Sequence, residues 1–336
     1  MAKYRVVVTD LGYASYQPEA VVLAEVGAEL EARDCRTEDE IIDLARDADG
    51  VIVRMAPVTR RVIENLSRCV VISRYGVGCD NVDVRAATEH GIMVANVPDY
   101  CLEDVSDHAL ALLLSAVRKI PSHDKRVRAG DWDIGARDPV WRTKGKTLGL
   151  LGFGNIARTL ARKVGGLELR IITHDPYVDP DTAAAAGAEL VDFETLLTRS
   201  DYLSIHAPLN DGTRHIIDAP ALAKMKPNAI LVNTSRGGLI DTDALVEALR
   251  AGRIGVAALD VYEEEPPPKQ SPLFALESAI VTDHAAWYTE ESQIELQTKA
   301  ARQVALALGG GRPTSVVNAA ALEASGVPVR AAGWRD

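Results

Sequence analysis

The chain has 336 residues, 47% of them hydrophobic, and a formal net charge of −11 at neutral pH. That length and apolar content suit two domains with ample cores, while the acidic balance argues against partnership with nucleic acid or an anionic membrane surface. Cys35, Cys69, Cys79 and Cys101 are widely spaced with no CxxC pair, and the opening MAKYRVVVTD enters a strand pattern directly, so no metal, disulfide framework or membrane span is expected and a cytoplasmic protein is.

Residues 1 to about 100 alternate short apolar runs with amphipathic stretches. Arg5 to Val8, Gly50 to Val53, Val70 to Ser73 and Ile92 to Val94 read as buried parallel strands, with helices over Glu19 to Val26, Thr37 to Arg46 and Val62 to Leu66. The pattern stops at Asn96-Val97-Pro98-Asp99, where proline disfavours a continuing helix, so a domain boundary is placed near 100. The next segment, DVSDHALALLLSAVRKI, is a helix too apolar for an ordinary surface; it is expected either between domains or against a second subunit. A loop from Arg128 to Lys146 follows, carrying Trp132 and Trp141.

Leu148 to Val164 reads LGLLGFGNIARTLARKV: a strand, then Gly152-x-Gly154-x-x-Ala157, then a helix. Gly152 permits a tight turn, Gly154 lets a pyrophosphate approach the backbone, and Ala157 lets helix and strand pack closely. An anion there would sit on unpaired helix N–H groups. Asp175 lies about 20 residues beyond Gly154, at the end of the next strand, where a carboxylate accepts ribose hydroxyls and repels a 2′-phosphate. The cofactor expected is therefore NAD; a plain turn aspartate before Pro176 is the alternative. Further strands at Arg170 to Thr173, Tyr202 to His206, Ile230 to Asn233, Val256 to Val261 and Ile280 to Thr282 make a six-strand doubly wound sheet over 101–286.

Glu290 to Leu308 is one long helix stopped by Gly309-Gly310-Gly311, and Ala319 to Asp336 reads as a poorly ordered tail. The last helix adds no strand to the nucleotide sheet, so it is expected to pack on the first unit. The expected division is a discontinuous domain of 1–100 plus 287–336 and a second domain of 101–286.

Polar residues placed directly after strands of an open α/β sheet face its ligand crevice. Thr234, Ser235 and Arg236 follow one strand, Asp260 and Glu265 the next, and His284 the last. An arginine, a carboxylate and a histidine so placed suit reduction of a 2-oxo acid or its reverse. A planar two-pronged cation grips a carboxylate and the adjacent carbonyl, histidine supplies the proton that the developing alkoxide needs, and a carboxylate holds its tautomer. Taken singly, each has a structural alternative: a sheet-edge ion pair, a solvated Glu263-Glu264-Glu265 run, a packed histidine. In the first unit Arg74 precedes Tyr75-Gly76-Val77-Gly78, which suits either a small anion nest or a tight turn. Arg54-Met55-Ala56-Pro57, another loop after a strand, would form a further wall of the site.

RYGVGCDNVD, LGLLGFGNIA, HAPLNDGTRHIID, NTSRGGLID, GVAALDVYEEEP and DHAAWYTE, in this order, resemble the D-isomer-specific 2-hydroxyacid dehydrogenases over nearly the whole chain. The resemblance implies a Rossmann-type NAD-binding domain and a smaller flavodoxin-like substrate domain formed by both chain ends. It implies Arg236, Glu265 and His284 as the catalytic set. Gly152, Gly154, Asn155, Ile156, Asp175, Pro208, Thr213, Thr234 and Asp260 would line the cofactor, and Arg74, Val77 and Gly78 would meet the substrate carboxylate. It also implies a homodimer joined through the NAD-binding domain. Asp283 before His284 and Ala285-Ala286-Trp287 after it depart from the proline and two glycines of many members, and are similar to the C-terminal-binding-protein branch, whose members are corepressors. Trp287 would then wall the substrate side chain. Apolar Met55 opposes a phosphorylated substrate, although Arg54 stands beside it. The function implied is hydride transfer between NAD(H) and a small unphosphorylated 2-oxo or 2-hydroxy acid. The alternatives are a phosphoglycerate dehydrogenase-like enzyme, a remoter phosphite oxidation, and an NAD(H)-sensing interaction protein.

Overall fold

The computed structural model describes residues 2–133 and 139–334; part of the loop expected over Arg128 to Lys146 lies outside the described residues. The chain divides into two compact units, Met1–Tyr100 with Thr289–Asp336, and Cys101–Tyr288.

The first unit opens with β1 (Tyr4–Val8), α1 (Gln17–Ala24), β2 (Ala28–Ala32), α2 (Glu38–Ala45), β3 (Gly50–Val53), α3 (Arg60–Ile63), β4 (Val71–Arg74), α4 (Val84–Glu89) and β5 (Met93–Ala95). Its five parallel strands run in the order β2-β1-β3-β4-β5, a flavodoxin-like winding whose crevice lies beyond the ends of β1 and β3. The sequence reading lacks β2. That strand, AELEA, is a sheet edge whose Glu29 and Glu31 face outward, and charged edge strands escape a search for apolar runs.

The second unit contains α5 (Leu102–Arg118), α6 (Ile120–Arg128), β6 (Thr147–Leu151), α7 (Asn155–Lys163), β7 (Arg170–His174), α8 (Pro180–Ala185), β8 (Ala188–Leu190), α9 (Phe193–Arg199), β9 (Tyr202–Ile205), α10 (Ala219–Lys224), β10 (Ile230–Asn233), α11 (Thr242–Arg250), β11 (Val256–Leu259) and β12 (Ala279–Val281). Seven parallel strands, not six, run in the order β12-β11-β10-β9-β6-β7-β8; the additional one, β8, is a three-residue edge strand. This is the doubly wound Rossmann arrangement, reversing direction between β6 and β9. The apolar face of α5 is used inside its own unit. Ala109, Leu112, Leu113, Ala116 and Val117 join the core formed with β6, α7 and β10, so the leucine excess needs no second subunit.

The chain then returns to the first unit as α12 (Glu290–Leu308) and α13 (Ala319–Ser325). α12 starts with a capping box between Thr289 and Ser292 and packs on α1, β3 and β4. Gly50 allows this close approach, since a Cβ there would lie 2.7 Å from Val304 Cγ1. Residues 319–334 are not a loose tail. Buried Asn318 accepts from the Val94 N–H at 2.9 Å and donates to the Ile92 carbonyl at 3.0 Å. Arg330, also buried, donates to the Leu66 carbonyl at 2.7 Å. These anchors are polar, which is why hydrophobic periodicity does not register them.

Candidate active site

The chain leaves β6 at Gly152 in a left-handed conformation, φ 85°. A Cβ there would lie 2.8 Å from the Ala207 backbone nitrogen, so glycine is required both by its φ and by the close approach of the loop after β9. Gly154 caps α7, and a Cβ on it would meet nothing within 4 Å. The space before the N–H groups that open this helix, at Asn155 and Ile156, is therefore clear, while Ala157 is fully buried against the sheet. Asp175, just past β7, accepts from the Phe153 N–H and the Tyr177 N–H, each at 2.9 Å. The carboxylate is thus tied to the glycine turn.

A dinucleotide fits these residues on two observations. One is the open approach at Gly154; the other is Thr234 after β10, whose buried Oγ1 has no hydrogen-bond partner among the described residues. Asp175→Asn keeps one acceptor oxygen and removes the charge. The ratio of kcat/KM for NADP(H) over NAD(H) is expected to rise by roughly tenfold, about 1.4 kcal/mol, and an unchanged ratio in paired steady-state assays would exclude Asp175 as the ribose contact.

After β9, Thr213 Oγ1 donates to the Pro208 carbonyl at 2.6 Å and accepts from the Asn210 N–H at 2.9 Å, closing the Pro208–Thr213 loop on itself. In the same stretch His206 lies 2.9 Å from Ser204 Oγ through Nε2. Burial pushes its pKa down to about 4, so it is neutral in the folded protein. An unfolded histidine gains its proton near pH 6.5. The stability attached to His206 is therefore complete above pH 6.5 and is lost as pH falls from there toward 4. Unfolding free energies from urea titration are expected to decline over that window, by up to about 3 kcal/mol, and His206→Phe to flatten the decline; parallel curves for the two proteins would contradict this.

At the end of β10, Asn233 is fully buried; it accepts from the Ser235 N–H at 3.0 Å and donates to the Arg236 carbonyl at 2.9 Å. Arg236 is held further by Nη1 donating to the Ser235 carbonyl at 2.8 Å. At Gly237 a Cβ would lie 1.8 Å from the Tyr262 carbonyl carbon, so a residue without a side chain lets the loops after β10 and β11 meet. Glu265 sits on the second of these loops. Its Oε1 accepts from the Tyr262 N–H at 3.0 Å, and its Oε2 lies 2.6 Å from His284 Nδ1. Partial burial would raise the Glu265 carboxyl, but the His284 hydrogen bond, the Tyr262 amide and the charges of His284 and Arg236 outweigh it and hold the group below the usual carboxylate range. An ionised Glu265 can only accept, so His284 Nδ1 carries a proton and Nε2 is the nitrogen left for proton transfer.

His284 has a φ of 56°, uncommon for a residue with a side chain. Its N–H donates to the Asp260 carbonyl at 2.9 Å, and the Asp260 carboxylate takes the N–H groups of Ala285 and Ala286, each at 3.0 Å. Asp260 is fully buried. Burial works to raise its carboxyl, yet donors from His108, Thr282, Ala286 and Ala285 lower it overall. Trp287 follows, its ring edge-to-face with Tyr288 at 5.6 Å.

In the first unit, Asp10 directly after β1 accepts from the N–H groups of Arg54 at 2.9 Å, Met55 at 2.5 Å and Ala56 at 3.1 Å. It fixes the loop that exposes Met55. Arg74 ends β4, and its guanidinium covers Gly76, where φ is 135° and a Cβ would lie 1.7 Å from Arg74 Nη1. The N–H groups of Val77 and Gly78 have no hydrogen-bond partner among the described residues, while the Val77 carbonyl accepts from Asn96 Nδ2 at 2.6 Å. Beneath them Tyr75 donates its phenol to fully buried Glu19 at 2.6 Å, and Gln297 Nε2 donates to the same carboxylate at 2.9 Å. The sequence reading does not single out Asp10, Glu19 or Asn233 as site residues. Asp10 and Asn233 were within reach of the strand-end rule, whereas nothing local marks Glu19.

A nucleotide turn at the reversal point of a parallel sheet, followed on the same sheet by a carboxylate-oriented histidine, defines the class of two-domain α/β nucleotide-dependent dehydrogenases. Residues 110–286 match the family profile described as D-isomer specific 2-hydroxyacid dehydrogenase, NAD binding domain. The chain belongs to the D-isomer specific 2-hydroxyacid dehydrogenase family, and its second unit is the NAD-binding domain.

The chain is 42% identical over 316 residues to a D-3-phosphoglycerate dehydrogenase of Methanocaldococcus jannaschii, an alignment covering 94% of this chain and 59% of that protein. It therefore spans somewhat over half the length of that relative. It is 38% identical over 292 residues to a glyoxylate reductase of Thermococcus litoralis, covering 85% of this chain and 88% of the relative. A glyoxylate reductase structure from Paecilomyes thermophila superposes with a TM-score of 0.85 at 31% identity, covering 94% of this chain and 99% of that one.

Proposed function

We propose that the chain catalyses hydride transfer between NAD(H) and a small, unphosphorylated 2-oxo or D-2-hydroxy acid. The observation that carries this reading is the 2.6 Å His284–Glu265 contact with Arg236 lowering the same glutamate, all on the NAD-binding domain. Gly152, Gly154, Asn155, Ile156, Asp175, Pro208, Thr213, Thr234 and Asp260 are assigned to the cofactor. When bound, NADH supplies the hydride that reduces the carbonyl carbon. His284 gives its Nε2 proton to the oxygen as that oxygen becomes an alkoxide, and takes it back when the alcohol is oxidised. Glu265 stabilises the imidazolium and fixes the ring. Arg236 offers its fork to the carboxylate and the adjacent carbonyl. Val77 and Gly78, whose N–H groups have no hydrogen-bond partner among the described residues, are assigned to the carboxylate with Arg74 beside them, and Trp287 and Met55 to the side chain.

A cytoplasmic setting is supported by four cysteines that form no disulfide among the described residues, Cys35, Cys69 and Cys101 being buried. No helix among the described residues is long and apolar enough to cross a membrane. We assign a homodimer through the NAD-binding unit. Among the described residues α6 has no buried side chain, and Ile120 and Val127 on it and Trp132 just beyond it are exposed, an apolar surface suited to a second copy of the chain.

A phosphorylated acid is the second reading. Arg54, whose backbone Asp10 pins and whose guanidinium lies 6.0 Å from the Tyr13 ring centre, is a cation suited to a phosphate, and the M. jannaschii relative is named for such a substrate. Purified protein with NADH and glyoxylate, pyruvate, 4-methyl-2-oxopentanoate and 3-phosphohydroxypyruvate separates the two. Preference for an unphosphorylated acid by at least tenfold in kcat/KM is the expected result. Preference for the phosphorylated one selects the second reading, and no NADH oxidation with any of them would sink both.

A further inference from the structure

We propose that His108, on α5, is a positioning residue for His284 and acts through Thr282 and Asp260; this rests on the assignment of His284 as the proton-transfer group. His108 lies between Val105 and Leu112 on the face that α5 turns to its own unit, and both of those neighbours are buried. A polar ring on that stripe requires a partner, and its Nε2 reaches Thr282 Oγ1 at 3.1 Å and Asp260 Oδ1 at 3.4 Å.

The proton positions follow from counting donors. Ionised Asp260 can only accept. Thr282 has one hydroxyl proton, and its Oγ1 lies 2.6 Å from Asp260 Oδ1, so that proton points at the carboxylate. Thr282 therefore presents a lone pair to His108, and Nε2 must carry the hydrogen that fills it. The result is a directed relay in which His108 Nε2–H donates to Thr282 Oγ1, and Thr282 Oγ1–H donates to Asp260.

The same carboxylate also receives the Ala285 N–H on Oδ1, the oxygen that Thr282 and His108 approach, and the Ala286 N–H on Oδ2. Those two amides, with the His284 N–H on the Asp260 carbonyl, hold the backbone that keeps His284 in its left-handed conformation. A side chain on α5 thus fixes the orientation of the carboxylate on which the His284 loop is built. Glu265 sets the ring of His284 from the loop after β11, and the relay sets its backbone from below. Charge-assisted bonds of this kind are the stronger ones in such a network, and a network loses more than one bond when a member is removed.

The test compares the full-length wild type with His108→Phe, which removes the donor, His108→Gln, whose amide nitrogen restores one near the Nε2 position, and Thr282→Val, which interrupts the relay at its middle. Two quantities are read: hydrogen exchange of the backbone amides at Ala285 and Ala286, and kcat against KM with the best 2-oxo acid. His108→Phe is expected to speed exchange there at least fivefold and to lower kcat about tenfold, with KM for the 2-oxo acid within twofold of wild type. His108→Gln should return both quantities to within threefold, and Thr282→Val should reproduce the Phe variant; it also carries the test should the Phe variant fail to fold. Wild-type exchange in a folded Phe or Val variant overturns the proposal, as does a folded Gln variant that restores nothing. A wild-type protein that turns over no 2-oxo acid overturns the assignment of His284 instead, and the exchange measurement still decides whether His108 holds this loop.

Discussion

Replacing His284 with alanine is expected to lower the rate of hydride transfer by roughly 10²–10⁴-fold and leave NADH binding within about twofold. The size comes from the loss of a group that delivers a proton to an alkoxide at neutral pH. The selectivity comes from position: the nucleotide turn is built by β6, α7 and β7, whereas His284 follows β12 at the other edge of the sheet. Glu265→Gln should do part of the same damage. It preserves shape and one acceptor, but removes the charge that stabilises the imidazolium. Single-turnover mixing of enzyme and NADH with substrate, followed at the NADH absorbance, measures the chemical step directly. A His284→Ala rate within threefold of wild type would remove His284 from the mechanism.

Arg236→Lys is the second large effect. Lysine keeps the positive charge that helps to hold Glu265 ionised, so the electrostatic setting of the His–Glu pair survives. What disappears is the planar fork, and one charged hydrogen bond of this kind is worth about 1.5–3 kcal/mol. A fall in kcat/KM of roughly 10- to 150-fold is expected. Adding Arg236→Gln separates the contributions, because it removes charge as well as geometry and should cost more. Wild-type kcat/KM in the lysine variant would refute the clamp.

The nucleotide half of the molecule was legible in the sequence because its signals are local. Gly152, Gly154 and Ala157 occur within a single turn, and Asp175 stands at the end of the neighbouring strand. Arg236, Glu265 and His284 were legible through the rule that polar residues after parallel strands face the ligand. Asp10 obeys the same rule after β1, yet its work on the Arg54–Ala56 loop depends on a partner strand adjacent in space, not in sequence. Hydropathy failed where short or charged strands lie at sheet edges, as with β2 and β8, and where polar side chains act as anchors, as with Asn318 and Arg330.

The Glu263-Glu264-Glu265 run shows how composition misleads. A row of three glutamates reads as solvated, and all three are exposed, yet alternate members turn to different partners. Glu263 lies 2.8 Å from His215 Nε2 and accepts from the Thr242 N–H at 2.8 Å, and Glu265 meets His284. Both carboxyls lie below their ordinary range. Burial opposes the shift in each; for Glu263 the Thr242 and His215 donors outweigh it, and for Glu265 the donors and charges already named do so. Only the fold reveals that the run is two separate clamps.

The first unit is assembled from chain segments separated by the whole of the second, and that has a bearing on biosynthesis. As the polypeptide leaves the ribosome, the sheet formed by residues 4–95 emerges early, but the helix that covers β3 and β4 is made only after residue 289. Throughout that interval Gly50 and its apolar neighbours lack the side chains of α12 that will pack on them. The nucleotide-binding unit, continuous from Cys101 to Tyr288, is complete first. Nascent chains of this architecture therefore hold an unfinished sheet face open while a finished domain grows behind it, which makes the opening hundred residues the stretch that most needs shelter from other chains during synthesis.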